Sequence, residues 1–450
     1  MPLNDGKTPD EIVRAPEEVT GQPRRLVLGE LMLRQTFSAL RHRNLRLFFS
    51  GQLVSLIGTW MQNTAQGLLV YELTHSEWWL GLVTAVNTLP MLLFSIWGGS
   101  MADQHAKRTI VLWTQTAMMV LAFAFAALVW SGQITTWEIL VIAGFRGLAM
   151  AFDMPARQAF MVEMTSREDL MNAISLNSSI VNAARVIGPS VAALLIVRVG
   201  MAMCFFLDGV SYLAVIASLL MMRLPKFVKP QRPDSAWAHV MEGFSYVWSN
   251  RRMKTLLLLF AIVGIFGWSY SVLMPAFAKE VLHTGAAGYG ALLTANGVGA
   301  LVGALTVASL GHKVSRRVLV FGGLWLFSAM LLLLAVTENF YVALVLLAIG
   351  GWGMMLFFST INTMLQLDAS NEMRGRVMSI WALVFGGMMP IGGLEAGALS
   401  HAIGLRWTPA VGVRSTVAIG AVACALAALV TLRIVKGRRP DEEGRRKNAE

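Results

Sequence analysis

The stretch GGSMADQHAKRTIV, at residues 98–111, is a short basic loop between two apolar runs, and it recurs in the second half of the chain. Its counterpart is VASLGHKVSRRVLV at residues 307–320, in which an Arg-Arg pair aligns with Lys107 and Arg108. Apolar runs of roughly 20 residues, the length that spans the hydrocarbon of a bilayer, flank both stretches. The pattern predicts pairs of membrane-spanning helices joined by charged loops, in a chain built from two similar halves.

Two further matches extend the repeat outward in both directions. SREDLMNAIS at residues 166–175 matches SNEMRGRVMS at residues 370–379. In addition, His75-Ser76 precedes Gly81 in the first half, and His283-Thr284 precedes Gly290 in the second half. All matches run in the same direction at similar offsets. They predict a parallel duplication of a six-helix unit, with a cavity between the two halves.

Hydropathy predicts an all-α polytopic membrane protein with twelve membrane-spanning helices. We expect these spans near residues 45–73, 77–102, 109–130, 138–160, 171–197, 202–222, 255–278, 287–310, 316–336, 340–366, 376–401 and 411–432. The predicted division is an N-terminal tail and lead-in at 1–44, a six-helix bundle at 45–222, a linker at 223–254, a second bundle at 255–432 and a basic tail at 433–450.

Composition and charge agree with a membrane protein. Hydrophobic residues make up 56% of the 450 residues and charged residues 14%, against roughly a quarter charged in a soluble domain. Of the 37 Lys and Arg residues, 31 fall in segments predicted to lie on one side of the membrane. This asymmetry predicts that both termini are cytoplasmic, and it explains the net charge of +11 without a nucleic-acid partner.

The linker contains an apolar helical face. Its members are spaced three, four, seven, ten and eleven residues after the first: Trp237, Val240, Met241, Phe244, Val247 and Trp248. Such a helix is suited to lying on the inner membrane surface, with membrane lipids as partners. Simple packing beneath the helix bundle explains the pattern equally well.

The loop after the second predicted helix resembles the loop motif of the major facilitator superfamily, Gly-x-x-x-Asp-Arg-x-Gly-Arg/Lys-Arg/Lys. Gly99, Asp103, Lys107 and Arg108 are in register with it, whereas Gln104 and Ala106 depart from it. The phrases RHRNLRLFFSGQLVSLIGTWMQ and FDMPARQAFMVEMTSREDLMNAISLNSSIVNAARVIGP, with MRGRVMS in the second half, are similar to the bacterial branch that contains the enterobactin exporter and the transmembrane secretion effectors.

The resemblance implies a transporter fold and an inner-membrane exporter of small molecules that is driven by the proton gradient. One departure concerns the coupling. Many relatives have an acidic residue directly after the glycine of the first helix, whereas Gly58 is followed here by Thr59. If that acid carries protons in the relatives, another group does so in this chain, or the driving ion differs.

The loop motif predicts a gate at the cytoplasmic ends of the helices. Asp103 is placed to face the positive N-terminus of another helix, and Lys107 and Arg108 to pair with acids on neighbouring helices. By resemblance, such contacts join the halves and break when the inner side opens. Alternatively, the basic residues only set the topology.

Five ionisable residues fall inside predicted spans: Arg146, Asp153, Arg185, Asp208 and Glu395. Because a central arginine costs roughly 2.5–3.5 kcal/mol on insertion scales, each is a candidate for proton coupling or substrate recognition. By resemblance, Arg146 acts in proton coupling or anion recognition. The alternatives are structural ion pairs, Arg146 with Asp153 or Arg185 with Glu395, and an interfacial position for Asp153 beside Arg157.

Polar residues within the spans predict the lining of a cavity. The first helix contributes Gln62, Asn63 and Gln66 to a polar stripe, and Asn182 and Asn296 are further candidates. Hydrogen bonding between helices, at roughly 0.6–2 kcal/mol per bond, is the alternative. In the fifth helix, Gly188 and Pro189, whose glycine aligns with Gly392, form either a hinge or a bend.

The leading hypothesis is proton-coupled export of a small molecule by alternating access. An uptake permease and a lipid flippase share the architecture, and a membrane sensor or scaffold without transport is an alternative of another class. We expect no enzyme activity, because the chain has neither a Gly-x-x-x-x-Gly-Lys-Ser/Thr phosphate loop nor a His-Glu-x-x-His site. Two distant cysteines give no sign of a metal site, and we expect no cofactor.

Overall fold

The computed structural model describes residues 38–166, 168–224, 236–311 and 313–436, and in these residues all regular structure is helical. Most of the predicted N-terminal tail, the proline-rich part of the linker and most of the basic C-terminal tail lie outside the described residues.

Thirteen helices carry the fold in the part of the chain that the structure describes. The first half contains α1 Arg43–Thr74, α2 Glu77–Gln104, α3 Lys107–Ser131, α4 Thr136–Glu163, α5 Leu170–Val199 and α6 Met201–Met221. The linker helix is α7 Ala236–Ser249. The second half contains α8 Arg251–Val281, α9 Ala286–Leu310, α10 Val318–Val336, α11 Phe340–Asp368, α12 Arg374–Arg406 and α13 Pro409–Lys436.

Eleven helices in the described ranges are long and apolar enough to cross a membrane. Helix α1 is the twelfth member of the bundle, and it is not among the eleven. Its 32 residues give a length of about 48 Å at about 1.5 Å per residue, so its length suffices. The polar stripe that includes Gln62 and Asn63 lowers the mean hydropathy of α1, so α1 is less apolar than the other eleven helices.

The two halves repeat one packing pattern. In the first half α1 packs on α5 and α6, α2 on α4, and α3 on α4 and α6. In the second half α8 packs on α12 and α13, α9 on α11, and α10 on α11 and α13. The halves meet along two equivalent helix pairs, α2 with α12 and α5 with α9. This arrangement confirms the predicted major-facilitator-like fold of two six-helix pseudo-repeats.

The seam between the halves closes where glycines allow helix backbones to touch. A Cβ at Gly81 of α2 would lie 2.3 Å from the carbonyl oxygen of Gly393 in α12. At Gly290 of α9 it would lie 2.4 Å from the Cβ of Ala193 in α5. Gly81 and Gly290 are the pair that the sequence repeat aligns, so the duplication is preserved at the contact between the halves.

We name the two ends of the bundle by their loops. The linker face is the end at which α1 begins and α7 lies, and the opposite face is the end at which α1 ends and α2 begins. Both glycine contacts of the seam involve the opposite-face parts of α2 and α9.

The structure of helix α7 agrees in part with both predictions for the linker, packing beneath the bundle and lying on the membrane surface. Val247 is buried in the core, and Gly243 packs against the backbone of Arg376 in α12. Met241, Phe244 and Trp248 are exposed. One edge of the helix therefore packs beneath the bundle, while the other presents an apolar surface at the linker face.

Candidate functional site

A buried polar network occupies the interior of the first half. The Arg146 guanidinium of α4 donates to Asn63 Oδ1 of α1 at 2.8 Å. Gln62 of α1 lies between Arg146 and Asp208, and one orientation of its amide forms a hydrogen bond with each of them. In this orientation the amide nitrogen donates to Asp208 Oδ2 of α6, and the amide oxygen accepts from Arg146 Nη1 at 3.2 Å. Arg146, Gln62 and Asp208 are 5%, 1% and 0% exposed. Two opposite charges are thus buried and connected through one amide.

Helix α6 places Asp208 against the glycine of α1. A Cβ at Gly58 would lie 2.7 Å from Asp208 Oδ1 and 2.4 Å from Ser211 Oγ, so only a glycine leaves room for this carboxylate. The neighbouring Thr59 hydroxyl lies 3.5 Å from the Tyr212 hydroxyl. Many relatives have an acidic residue directly after the glycine that corresponds to Gly58 of α1. In this chain the acidic side chain beside Gly58 is Asp208, which belongs to α6.

Asp153 belongs to a separate network nearer the linker face. Its Oδ1 accepts from Thr114 Oγ1 at 2.7 Å and from Gln115 Nε2 at 2.9 Å, and its other oxygen pairs with Arg157 one turn along α4. The alternative in which Arg146 pairs with Asp153 is therefore wrong. The sequence could not exclude it, since both residues lie on one face of α4.

Arg185 and Glu395 are partly buried and do not pair with each other. The Arg185 guanidinium lies over the Trp60 ring, 5.2 Å from its centroid, and its Nε has no hydrogen-bond partner. Glu395 Oε2 is likewise buried without a partner. In the described part of the chain no ion pair includes either residue, so the predicted Arg185–Glu395 ion pair is wrong. Arg185 lies at the seam, because its carbonyl oxygen is 3.2 Å from a Cβ built at Gly297 of α9.

The polar residues predicted to line a cavity have mixed positions. Gln62 and Gln66 are buried within the first half, so they do not face open space here, whereas Asn63 is exposed. Asn182 donates to the Ser178 carbonyl of its own helix at 2.8 Å. Asn296 donates to the Tyr270 hydroxyl at 2.9 Å. For Gln62 and Asn296, hydrogen bonding between helices describes the structure better than cavity lining.

The loop motif makes its contacts inside the first half. Lys107 Nζ lies 3.3 Å from Glu163 Oε2 of α4, and Arg108 donates to the Leu220 carbonyl of α6 at 3.2 Å. Asp103 is exposed, with no ion pair or hydrogen bond in the described ranges, and a Cβ at Gly99 would touch nothing within 4 Å. The predicted bridging of the two halves is not formed by Asp103 or Arg108 in this conformation.

The Gly-Pro element of α5 is a contact point for both neighbouring helices. A Cβ at Gly188 would lie 2.4 Å from the Trp60 Cβ of α1, and the carbonyl oxygen of Pro189 lies 2.8 Å from a Cβ built at Gly290. The element therefore packs against α1 on one side and against α9 on the other. Its role as a hinge stays a prediction.

A set of polar contacts at the opposite face joins the halves, and no pattern in the sequence indicated it. We call it the latch and define it as Tyr71, Glu77, Glu280 and His401. The Tyr71 hydroxyl of α1 donates to Glu280 Oε1 of α8 at 3.0 Å, and His401 Nδ1 of α12 lies 3.8 Å from Glu77 Oε2 of α2. Glu280 lies in a π-helical turn, Phe277–Val281, a local widening that is frequent at functional sites.

The interior of the second half is aromatic. The rings of Phe260 and Trp381 stack with centroids 3.7 Å apart, and Phe358 packs edge-on against both. Phe385 and Met388 extend this cluster around an apolar pocket. Aromatic and methionine residues are common throughout the chain, so composition alone could not locate the pocket.

Comparisons with known proteins agree with this geometry. A family model described as transmembrane secretion effector matches residues 34–444. The chain is 22% identical over 375 residues to the staphyloferrin A transporter of Staphylococcus aureus, covering 83% of this chain and 94% of that protein. It is 27% identical over 395 residues to the multidrug efflux pump Tap of Mycobacterium tuberculosis, covering 85% and 93%. It is 23% identical over 341 residues to the enterobactin exporter EntS of Salmonella typhimurium, covering 76% and 81%.

Solved structures share the fold at low identity. A bacterial homologue of the human lysosomal transporter Spinster, in an inward-facing unoccupied conformation, superimposes with a TM-score of 0.72 at 14% identity, over 88% of this chain and 98% of that chain. A structure of the nucleoside transporter NupG gives 0.70 at 12% identity, over 87% and 99%. With the family model covering nearly the whole chain, the protein belongs to the transmembrane secretion effectors of the major facilitator superfamily and is a membrane transporter.

Proposed function

We propose that this transporter exports a small molecule across the bacterial inner membrane by alternating access, coupled to protons. The observation that carries the proposal is the uneven closure of the seam. Between described residues, the hydrogen bonds and ion pairs that join the two halves lie at the opposite face, as in the latch, or midway along the seam, as between Ser190 and Thr294. Two bundles that are bonded at one end only are suited to rocking about that seam.

The charge asymmetry orients this closure in the membrane. The sequence assigns 31 of the 37 Lys and Arg residues to cytoplasmic segments, and the described parts of these segments lie at the linker face. We therefore place that face and both termini in the cytoplasm. The latch then closes the outer side. In such an inward-facing state an exporter loads its substrate from the cytoplasm.

Asp208 is our candidate for the proton carrier. It is fully buried, and it shares Gln62 with Arg146 rather than contacting the arginine directly. Protonation would remove its negative charge and weaken its hold on Gln62, which would free the amide and Arg146 to change partners. An intramembrane carboxylate with a nearby cation is a common element of proton relays.

The rest of the interior suggests the kind of substrate. The pocket at Phe260, Phe385 and Met388 has a volume of about 10 Å³ in this conformation, and its flexible methionine can adapt to a bound apolar group. Arg185 offers a cation at the seam that has no acidic partner among the described residues. A small amphipathic molecule, in particular one with an anionic group, fits both features. The named relatives are a staphyloferrin A transporter, an enterobactin exporter and a multidrug efflux pump, and this chain is expected to carry a small molecule without covalent chemistry.

Inverted membrane vesicles test the proposal. We expect an imposed proton gradient to drive uptake of a transported compound, found by screening siderophores and lipophilic drugs. A protonophore should abolish this uptake, and Arg146→Ala should reduce it. Gradient-driven uptake in right-side-out vesicles would instead identify an uptake permease. Scrambling of labelled phospholipid with no solute flux would identify a lipid flippase, and no flux of any kind would favour a sensor or scaffold.

A further inference from the structure

The first turn of α8 carries an unusual excess of positive charge. Arg251, Arg252 and Lys254 all lie there, and the turn contains no acidic residue. A helix N-terminus is itself partly positive, so cations at this position are unfavourable unless an anion offsets them. The Asn250 side chain accepts hydrogen bonds from the backbone amides of Arg252 and Met253. This cap satisfies the amides but adds no negative charge.

Only one of the three cations has an acidic partner in the described part of the chain. Arg252 Nε lies 3.0 Å from Asp368 Oδ2 of α11. Arg251 is exposed without an ion pair, and the Lys254 ammonium lies over the Trp248 ring, 4.6 Å from its centroid. Two cations therefore remain uncompensated at one helix end.

These two cations border a groove between α7, α8 and α13. Its volume is about 360 Å³, within the range of roughly 300–1,000 Å³ that small-molecule sites occupy. Its lining is Trp248, Ser249, Arg251, Lys254, Thr255, Leu258 and Ile434. The basic side chains lie at the linker-face end of the groove. Leu258, two turns into α8, and Ile434, in the last turn of α13, are exposed apolar side chains of the groove.

We propose that this groove binds one anionic phospholipid. The phosphate lies between Arg251 and Lys254, and an acyl chain follows Leu258 and Ile434. Basic pockets between spanning helices are the sites that bind anionic headgroups, and Trp248 is a side chain typical of the interface. The apolar side of the groove distinguishes a lipid from a free phosphate. Because α7 supplies Trp248, a bound lipid fastens the linker helix to α8 and α13.

The site does not depend on the transport direction or on the coupling ion. It uses only residues of the linker and of the second half, away from Arg146 and Asp208. A failure of the lipid experiment therefore leaves the proposed transport untouched, and a failure of transport leaves the lipid site untouched.

Binding of defined lipids to the purified, delipidated full-length protein tests the inference. In native mass spectrometry we expect phosphatidylglycerol to bind at least tenfold more tightly than phosphatidylcholine. The double variant Arg251→Gln/Lys254→Gln should lose most of this preference, about tenfold or more, since each basic side chain near the surface contributes to lipid attraction. The matched control is Arg316→Gln/Arg317→Gln, which removes two exposed cations from the same face outside the groove. An equal loss in the control, or no preference between the lipids, would overturn the site.

Two further measurements separate a lipid from a soluble anion and from misfolding. Leu258→Gln should weaken phosphatidylglycerol severalfold while leaving the unfolding temperature in lipid-free detergent nearly unchanged. Displacement of the lipid by inorganic phosphate alone would contradict the proposal that the ligand of the groove is a lipid. A cysteine at the exposed position Ser249 provides a direct probe, because Cys204 and Cys424 are both buried. Phosphatidylglycerol should slow its maleimide labelling severalfold more than phosphatidylcholine does, and equal rates would count against occupancy of the groove.

Discussion

The interior of the first half contains charged side chains, whereas the interior of the second half contains aromatic and methionine side chains. In α1–α6, Arg146 and Asp208 meet through Gln62. In α8–α13, Phe260 and Trp381 stack beside an apolar pocket. The repeat offsets place the counterpart of Arg146 within residues 350–355, Gly-Gly-Trp-Gly-Met-Met, where there is no charge.

This difference between the two interiors shows that helix packing is constrained in both halves, whereas the interior side chains are not. The pairing of helices and the glycines at the seam, Gly81 and Gly290, are the same in both halves, because backbone contacts leave no room for larger residues. The interior positions diverged. We infer that the first half supplies the groups for coupling and the second half supplies the apolar contacts to the substrate. The following experiments test this division, in decreasing order of the effect we expect.

Asp208→Asn should abolish uphill transport driven by a proton gradient. The amide keeps the shape of the side chain but cannot release a proton, so substrate exchange should continue while accumulation fails. Paired measurements of gradient-driven uptake and of gradient-free exchange in vesicles separate these two outcomes.

Asp153→Asn is the matched control for this prediction. It also neutralises a buried aspartate of the first half, but one whose partners are Thr114, Gln115 and Arg157. We expect it to lower stability and to leave gradient-driven accumulation intact. Loss of accumulation in both variants would show that Asp208 has no special part in coupling.

Arg146→Met and Asp208→Asn should each destabilise the first half, and the double variant should cost less than their sum. Breaking a buried charge pair leaves one uncompensated charge, at about 3–5 kcal/mol, whereas removing both charges avoids that penalty. Unfolding of the two single variants and the double variant in detergent measures the coupling. Strict additivity would mean that Arg146 and Asp208 do not interact through Gln62.

Gly81→Val and Gly290→Val should weaken the seam to a similar extent. Each side chain would overlap atoms of the other half, at a cost of about 1–3 kcal/mol for overpacking. Distances between spin labels on the two halves should lengthen at the opposite face. Gly99→Val, on α2 where a Cβ meets nothing within 4 Å, is the control. A large effect at only one of the two seam glycines would show that the halves are not equivalent there.

Phe385→Leu should change substrate affinity without changing the coupling. Loss of an aromatic contact in the pocket is expected to raise the KM of aromatic substrates about two- to tenfold, from roughly 0.5–1.5 kcal/mol per aromatic pair. Phe206→Leu removes a partly buried ring from the first half, which packs against Phe123 and Trp130 instead, and serves as the control. Equal changes in KM for both variants would contradict the assignment of the apolar site to the second half.

Most residues of the site could be predicted from the sequence, but which of them contact one another could not. Arg146, Asp208, Gln62 and Asn63 each stand out because a polar group inside an apolar span is costly. Which of them meet depends on how α1, α4 and α6 rotate against one another. The sequence offered Asp153 as the partner of Arg146 and Glu395 as the partner of Arg185, and both pairings are absent.

The latch and the aromatic pocket were not predicted at all. Tyr71 and Glu280 are far apart in the sequence and come from equivalent helices of different halves, so no local pattern links them. Phe260, Trp381 and Phe385 come from α8 and α12 and resemble many other aromatic residues in the chain. Without the packing of the helices, they are not distinguishable from residues that face lipid.

The sequence by itself determined the membrane-spanning helices, their duplication and the set of costly polar residues, because hydropathy and repeat patterns are local properties of the chain. Only the tertiary structure decided that Asp208 lies beside Gly58, that the seam is bonded at the opposite face, and that Arg185 and Glu395 do not pair with each other. These are contacts between distant segments. They are selected by the close packing of helix against helix, which no single segment encodes.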